Sequence, residues 1–138
     1  MARLVRSFAL GFAAGLERYF WYSWDNRWMG VAEDEGVRNG PAVRGWSRSV
    51  QWLEGTRLIG CGSSNKTLWA CELIRDGTRR GWMVWNISGP VYWQVPKAWG
   101  AVSFAELTDA VANTISAGAV DVGPTPILIT ADTAPWGN

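Results

Sequence analysis

Hydrophobic and polar positions divide the chain into a helical first part and a second part rich in short strands. Four apolar residues near the N-terminus recur at four-residue steps and predict one face of a helix: Leu4, Phe8, Phe12 and Leu16. A second helix is predicted from Pro41 to Gly55, because proline suits a first helical turn and the glycine ends the pattern. Its apolar positions repeat at three- and four-residue steps: Val43, Trp46, Val50 and Leu53.

Strand-like segments dominate the rest of the chain. Arg18–Trp24 is short, aromatic and apolar, which predicts one strand before the second helix. Six further segments are predicted as strands, near residues 57–61, 67–74, 79–86, 91–95, 119–122 and 126–130. Turn signals separate them, such as Asp76-Gly77 and Gly123-Pro124. This spacing predicts an antiparallel sheet or a small sandwich.

The predicted fold class is therefore α+β. A chain of 138 residues fits a single domain, residues 1–138, and can bury roughly two thirds of its unfolded surface. Within it we expect a helix-strand-loop-helix part, residues 1–55, packed on a β-rich part, residues 56–138. No apolar run reaches the length of a membrane span.

Composition removes several classes of function. The chain has no histidine, which excludes Ser-His-Asp and Cys-His nucleophile systems and histidine metal ligands. A net charge of +1 gives no reason to expect nucleic acid. Eleven tryptophans are far more than a chain of this size ordinarily carries, and large aromatics serve either as core or as stacking platforms.

The two cysteines leave two interpretations open. Cys61 and Cys71 flank a turn signal, so they lie across a predicted hairpin and either form a disulfide or stay as buried thiols. The first sixteen residues resemble a secretory signal, but no clear cleavage site precedes Glu17, which favours the helix. A cytoplasmic location is favoured, and secretion stays open.

An acidic segment offers the one metal chemistry suggested by the sequence. Within eleven residues lie four carboxylates and an amide: Asp25, Asn26, Glu33, Asp34 and Glu35. Such a loop can supply oxygen ligands to calcium, whose bound water would allow hydrolysis without histidine. Asp25 and Glu33 are the catalytic candidates, and a solvated acidic loop is the alternative.

A family resemblance begins at the end of the first helix. The pattern Ala-Gly-x-x-Arg, followed by Tyr19-Phe20-Trp21-Tyr22-Ser23-Trp24-Asp25-Asn26, resembles the last helix and eighth strand of (β/α)8 barrel glycoside hydrolases of the xylosidase- and endoglucanase-like group. The helix Pro41–Gly55 resembles the eighth barrel helix. The remainder resembles the β-rich region that often packs beside these barrels.

The resemblance implies a sugar platform but no catalytic pair. In the family, the acid/base and nucleophile carboxylates come from the fourth and seventh strands, which have no counterpart in this chain. Trp24 occupies the place of a substrate-facing aromatic at the end of the eighth strand, with Trp21 and Trp28 as further substrate-binding candidates. The alternative is that Trp24 packs against neighbouring aromatics.

Three functions follow as expectations. The first is a truncated or fragmentary relative of a glycoside hydrolase, not glycosidic alone. The second is a small calcium-dependent hydrolase of an ester, lactone or amide, and the third is a tryptophan-rich carbohydrate-binding module. A homodimer is also expected, because a strand such as Tyr19–Trp24 without barrel neighbours exposes unpaired backbone.

Overall fold

The structure, a computed structural model, describes residues 2–22, 40–109, 111–134 and 136. These residues form two α-helices, α1 (Ala2–Ala13) and α2 (Pro41–Leu53), and a short 3-10 turn at Lys97–Trp99. Eight strands follow: β1 (Thr56–Ser64), β2 (Leu68–Arg75), β3 (Arg79–Asn86), β4 (Val91–Gln94), β5 (Ser103–Glu106), β6 (Ala112–Thr114), β7 (Ala119–Val122) and β8 (Ile127–Thr130). The α+β class is confirmed.

The strands form two sheets. Six of them make an antiparallel sheet in the order β1-β2-β3-β8-β5-β6, and β4 pairs with β7 in a separate two-stranded sheet. The β2–β3 turn uses Asp76 and Gly77 at φ 52° and 73°, the left-handed backbone that aspartate and glycine tolerate best. Within the described residues, β1 and β6 are the two edges of the larger sheet.

Each face of the larger sheet has its own cover. On one face the helices contribute Val5, Ala9 and Trp52 to a core that includes Leu73 and Met83 of the sheet. On the other face the smaller sheet packs its valines against alternate residues of the central strands: Trp82, Val84, Ile127 and Ile129. Because successive strand residues point to opposite faces, the near-continuous apolar run of β3 serves both cores.

The predicted strands are confirmed with one exception and two omissions. Residues Arg18–Tyr22, the described part of the strand predicted at Arg18–Trp24, form no strand. Phe20 and Tyr22 are 85% and 72% exposed there, while Tyr19 packs edge-on against Phe8 with ring centroids 4.7 Å apart. A strand needs a neighbouring strand to pair with, and none of the strands in the described part of the chain pairs with this segment. The omitted strands are β5 and β6.

The helices are where the sequence predicts, but their buried faces are broader or rotated. In α1, Leu4 and Phe8 pack towards α2, whereas Val5 and Ala9 pack on the sheet, so the helix has two apolar contacts instead of one. Phe12 and Leu16 are exposed. In α2, Val43 is buried as predicted, but Val50 is exposed and Trp52, which is outside the predicted face, is fully buried. A three-layer arrangement explains both results, since each helix touches the sheet and its partner.

The two cysteines form a disulfide. Cys61 and Cys71 lie directly opposite each other in the β1–β2 register and are bonded, with Cα atoms 4.0 Å apart. This resolves the choice left open by the sequence, in favour of the cross-strand bridge. This short Cα–Cα distance is typical of a non-hydrogen-bonded pair of an antiparallel ladder. The backbone N–H and C=O of Cys61 therefore point away from β2.

The C-terminal segment is anchored through Trp136. Its indole is 5% exposed and lies over Gly81, where an added Cβ would come within 2.9 Å of two ring atoms. The guanidinium groups of Arg75 and Arg79 lie 5.2 and 5.8 Å from the ring centroid. Arg79 also donates two hydrogen bonds to the carboxylate of Asp132, which ties the segment to β3.

Candidate functional site

Most of the site residues predicted from the sequence lie outside the described residues. This holds for Trp24, Asp25, Asn26, Trp28, Glu33, Asp34 and Glu35, so their substrate, catalytic and calcium roles stay predictions. Trp21 is described: it is half-buried and packs against the cluster of Leu4, Phe8 and Val43.

The described residues lack a metal-binding cluster and a membrane-spanning helix. Residues 2–22, 40–109, 111–134 and 136 contain no group of three or more acidic, cysteine or histidine side chains placed to hold a metal ion. Among the same residues, neither helix has the length and apolarity needed to cross a membrane.

The described residues contain a depression of about 320 Å³ on the face of the larger sheet that also carries the smaller sheet. We call it the tryptophan depression. Its lining comes from β1, β2, β3 and the 3-10 turn: Ile59, Gly60, Cys61, Gly62, Ala70, Glu72, Trp82 and Trp99. It is shallow and open to solvent, a shape that suits a chain or ring lying on the surface.

Two tryptophans, Trp82 and Trp99, build one wall, and Trp93 supports Trp99 from outside the lining. Trp82 and Trp99 stack face to face, with ring centroids 4.4 Å apart and planes 3° from parallel, and Trp93 meets Trp99 edge-on at 5.5 Å. The 3-10 turn holds Trp99 in place, because Gly100 ends the turn in a left-handed conformation at φ 61°. Trp82 is 2% exposed and Trp99 is half-buried, so Trp99 presents the accessible aromatic surface.

Glu72 is the charged residue of the lining, and Arg80, which is outside the lining, forms an ion pair with it. Glu72 lies directly opposite Trp82 in the β2–β3 register, and Arg80 donates two hydrogen bonds to Oε1 of Glu72 at 2.9 and 2.6 Å. The guanidinium of Arg80 also lies 5.3 Å from the centroid of Trp82. Since both bonds end on Oε1, the second carboxylate oxygen of Glu72 is left to accept hydrogen bonds from a bound molecule.

The floor consists of bare backbone. Gly60 and Gly62 alternate along β1, and a Cβ added at either would meet none of the described atoms within 4 Å. Neither glycine has a positive φ, so a larger residue would fit both the space and the backbone. Strand glycines lower stability by roughly 0.5–1 kcal/mol relative to alanine. Gly60 borders a bulge in β1, which is one reason for a strand glycine, whereas Gly62 lies in regular pairing. A glycine such as Gly62 is typical of a place where a ligand approaches closely.

A larger cavity lies between the two helices and the start of β1. It has a volume of about 550 Å³, and we call it the helix groove. Its lining includes three polar residues, Glu54, Thr56 and Arg57. The other lining residues are aromatic or aliphatic: Phe8, Phe12, Tyr19, Trp46, Val50, Leu53 and Leu58. Leu16, Phe20 and Tyr22 of the following segment are exposed as well. The helical part thus leaves much apolar surface open within the described residues.

The sequence did not identify the tryptophan depression. Its tryptophans were among eleven, and Arg80 belongs to a charged cluster around Asp76-Gly77 that suggests an ordinary hairpin tip. The usable signal is the pair of alternating glycines around Cys61, but Gly62 lies beyond the strand predicted near residues 57–61, whereas the structure extends β1 to Ser64.

Comparison with known proteins gives no independent assignment. No family model matches the chain, and neither a curated protein nor a solved structure is significantly similar to it. Any function assigned to these cavities therefore depends on the chemistry of the residues that line them.

Proposed function

We propose that the protein binds carbohydrate in the tryptophan depression. The observation that carries the proposal is the stacked pair Trp82–Trp99 beside the carboxylate of Glu72, on an open surface with a backbone floor. Binding sites combine apolar or aromatic walls with a few placed polar groups, and this depression has both. An aromatic wall packs against the C–H face of a sugar ring, while the polar groups reach its hydroxyls.

The polar chemistry fits hydroxyl groups. A sugar hydroxyl both donates and accepts, and Glu72, whose carboxylate is fixed by Arg80, offers an oxygen as acceptor in the depression. Because the pair is neutral overall, it favours an uncharged sugar over an anion. The ion pair also fixes both side chains beforehand, which reduces the entropy lost on binding.

Retention on polysaccharides tests the proposal. The protein is passed over insoluble cellulose, chitin and immobilised xylan, and we expect at least one of them to retain it. Trp99→Ala should weaken retention about tenfold, the effect of removing one stacking aromatic. Tyr92→Ala is the matched control, because Tyr92 is 63% exposed on β4 and does not line the depression. Retention by none of the three, or equal retention of both variants, would overturn the proposal.

The helix groove favours a second proposal, compatible with the first. We propose that residues 1–55 belong to the end of a barrel of the glycoside-hydrolase type, and that the groove packs against the rest of that barrel. What supports this is the apolar wall of the groove, with Phe12 and Val50 exposed, because monomeric proteins rarely leave large contiguous apolar patches open.

The DNA upstream of the Met1 codon tests the second proposal. A continuous reading frame that encodes earlier barrel strands with two catalytic carboxylates would support it. A stop codon in frame just upstream would refute it, and a partner such as a second copy of the chain would then have to cover the groove.

A further inference from the structure

The disulfide lies directly behind the floor of the tryptophan depression. Cys61 and Cys71 face each other across β1 and β2, and their immediate neighbours Gly60, Gly62 and Glu72 line the depression. Because side chains alternate along a strand, the sulfurs lie on the helix side, where Sγ of Cys61 is 3.9 Å from the carbonyl oxygen of Ala9. The bond therefore joins the two strands at the middle of the floor.

Apart from the disulfide, the second half of β1 is fixed mainly by its backbone pairing with β2. This strand is an edge with β2 as its strand neighbour among the described residues, and its register is interrupted by a bulge between Leu58 and Gly60. Beyond the bulge, the strand carries two glycines, Cys61 and two serines, so the cystine is its main apolar side-chain contact. An edge strand of this composition depends on its cross-link more than a central strand does.

The turn that follows adds to this dependence. Asn65, Lys66 and Thr67 connect β1 to β2, and the first two have a positive φ, 54° and 60°. Asparagine tolerates this conformation, whereas lysine adopts it only at a cost because of its Cβ. The sequence of this turn therefore stabilises the β1–β2 hairpin only weakly, and the disulfide adds the stability that the turn does not supply.

We propose that the Cys61–Cys71 disulfide is a redox control of the tryptophan depression. In the oxidised protein the floor is held flat; after reduction the segment from Gly60 to Lys66 frays and the depression loses its floor. The inference rests on the proposed carbohydrate site for its functional consequence, while the fraying itself follows from the strand alone.

A dithiol reductant supplies the chemistry. Cys71 is fully buried and Cys61 half-buried, so a thiolate of the reductant attacks Sγ of Cys61 and releases the Cys71 sulfur. The second thiol of the reductant then resolves the mixed disulfide. The protein disulfide takes up two electrons and two protons, and the dithiol becomes a disulfide.

Hydrogen exchange and polysaccharide retention test the inference together, with dithiothreitol as the reductant. We expect reduction to speed amide exchange at least tenfold at Gly62 and Ser64, whose N–H groups face β2, while the central strand β8 is unchanged. Retention on the polysaccharide that binds the oxidised protein should fall at least fivefold and return after reoxidation. The variant Cys61→Ala/Cys71→Ala is the matched control: it should behave as reduced protein and ignore dithiothreitol, with circular dichroism confirming that it folds.

The outcomes separate this inference from the proposed function. Unchanged exchange at Gly62 and Ser64 after reduction would overturn the inference. So would unchanged retention by the reduced protein, although carbohydrate binding would then stand. Faster exchange in a protein that no polysaccharide retains would instead overturn the proposed function and leave the mobile hairpin as the supported result.

Discussion

The contact between Trp136 and Gly81 gives the sharpest prediction about stability. Replacing a buried tryptophan by alanine costs about 3–5 kcal/mol. Two cation contacts, Arg75 and Arg79, are lost as well, at about 0.5–1 kcal/mol each. In the opposite direction, the indole N–H is buried without an acceptor among the described residues, so its removal returns about 1–3 kcal/mol. We therefore expect Trp136→Ala to lower the free energy of unfolding by about 3 kcal/mol.

Gly81→Ala tests the same contact from the other side. The added Cβ would stand 2.9 Å from the ring and 3.3 Å from the carbonyl oxygen of Ile129, so overpacking should cost about 1–3 kcal/mol. If the ring causes most of that cost, Gly81→Ala should cost less in a Trp136→Ala background. Gly62→Ala is the control, since its Cβ would meet none of the described atoms within 4 Å.

Urea and thermal denaturation, both followed by circular dichroism, measure the three single variants and the double variant. The midpoint of thermal unfolding should fall by about 6–12 °C for Trp136→Ala, at 2–4 °C per kcal/mol for a chain of this size. Two results would refute the reasoning. One is a loss below about 1 kcal/mol for Trp136→Ala, and the other is an equal cost of Gly81→Ala with and without the indole.

Four other predictions follow from the structure and the sequence. Two hydrogen bonds from Arg79 hold the pKa of Asp132 below its usual range. The pair therefore stabilises the fold above about pH 4, and this stabilisation is lost as the pH falls through the folded pKa. Asp132→Asn should lower the free energy of unfolding by about 1 kcal/mol or less at pH 7 and make it depend less on pH in the acid range. Reduction of the Cys61–Cys71 bridge should lower the free energy of unfolding by about 2–3 kcal/mol, the loop entropy of a ten-residue separation, and a loss near zero in denaturation curves would contradict this. Purified protein should not turn over aryl glycosides, whereas any ester or lactone hydrolysis should stop with chelator or Asp25→Ala; activity indifferent to both would exclude the acidic segment. Sedimentation at micromolar concentration should give a dimer, and a clean monomer would contradict that expectation.

Turn chemistry explains why so much of the fold was predictable. Residues 79–86 and 119–122 were predicted with the observed bounds, because glycine and aspartate or proline pairs mark the turns beside them. The strands Ser103–Glu106 and Ala112–Thr114 are not predicted, because they are only four and three residues long. They pair with each other, and Ser103–Glu106 also pairs with β8, which is distant in sequence. Only the tertiary pairing of Ser103–Glu106 with β8 makes that edge a sheet.

The depression was harder to predict because it depends on register. Asp76-Gly77 indicates a hairpin but not its loop length, and the observed pairing of Arg75 with Arg79 leaves three residues in the loop. A two-residue loop would shift the register by one, and Glu72 would no longer lie opposite Trp82. Trp99 arrives from a 3-10 turn that no periodicity marks. The tryptophans were counted correctly, but nothing in the sequence alone brings two of them into a stack.

Nuclear magnetic resonance signals of the indole and amide N–H groups test directly whether carbohydrate binds in the tryptophan depression. A proton–nitrogen correlation spectrum is recorded while a soluble oligosaccharide of the retained polysaccharide is added. If carbohydrate binds there, the chemical shifts of the Trp99 indole N–H and of the Gly60 and Gly62 amides should change together and reach saturation. The indole signal of Trp52, in the opposite core, should not change. Shifts confined to the helix groove around Trp46, or no saturable shift at Trp99, would contradict the assignment of carbohydrate binding to the tryptophan depression.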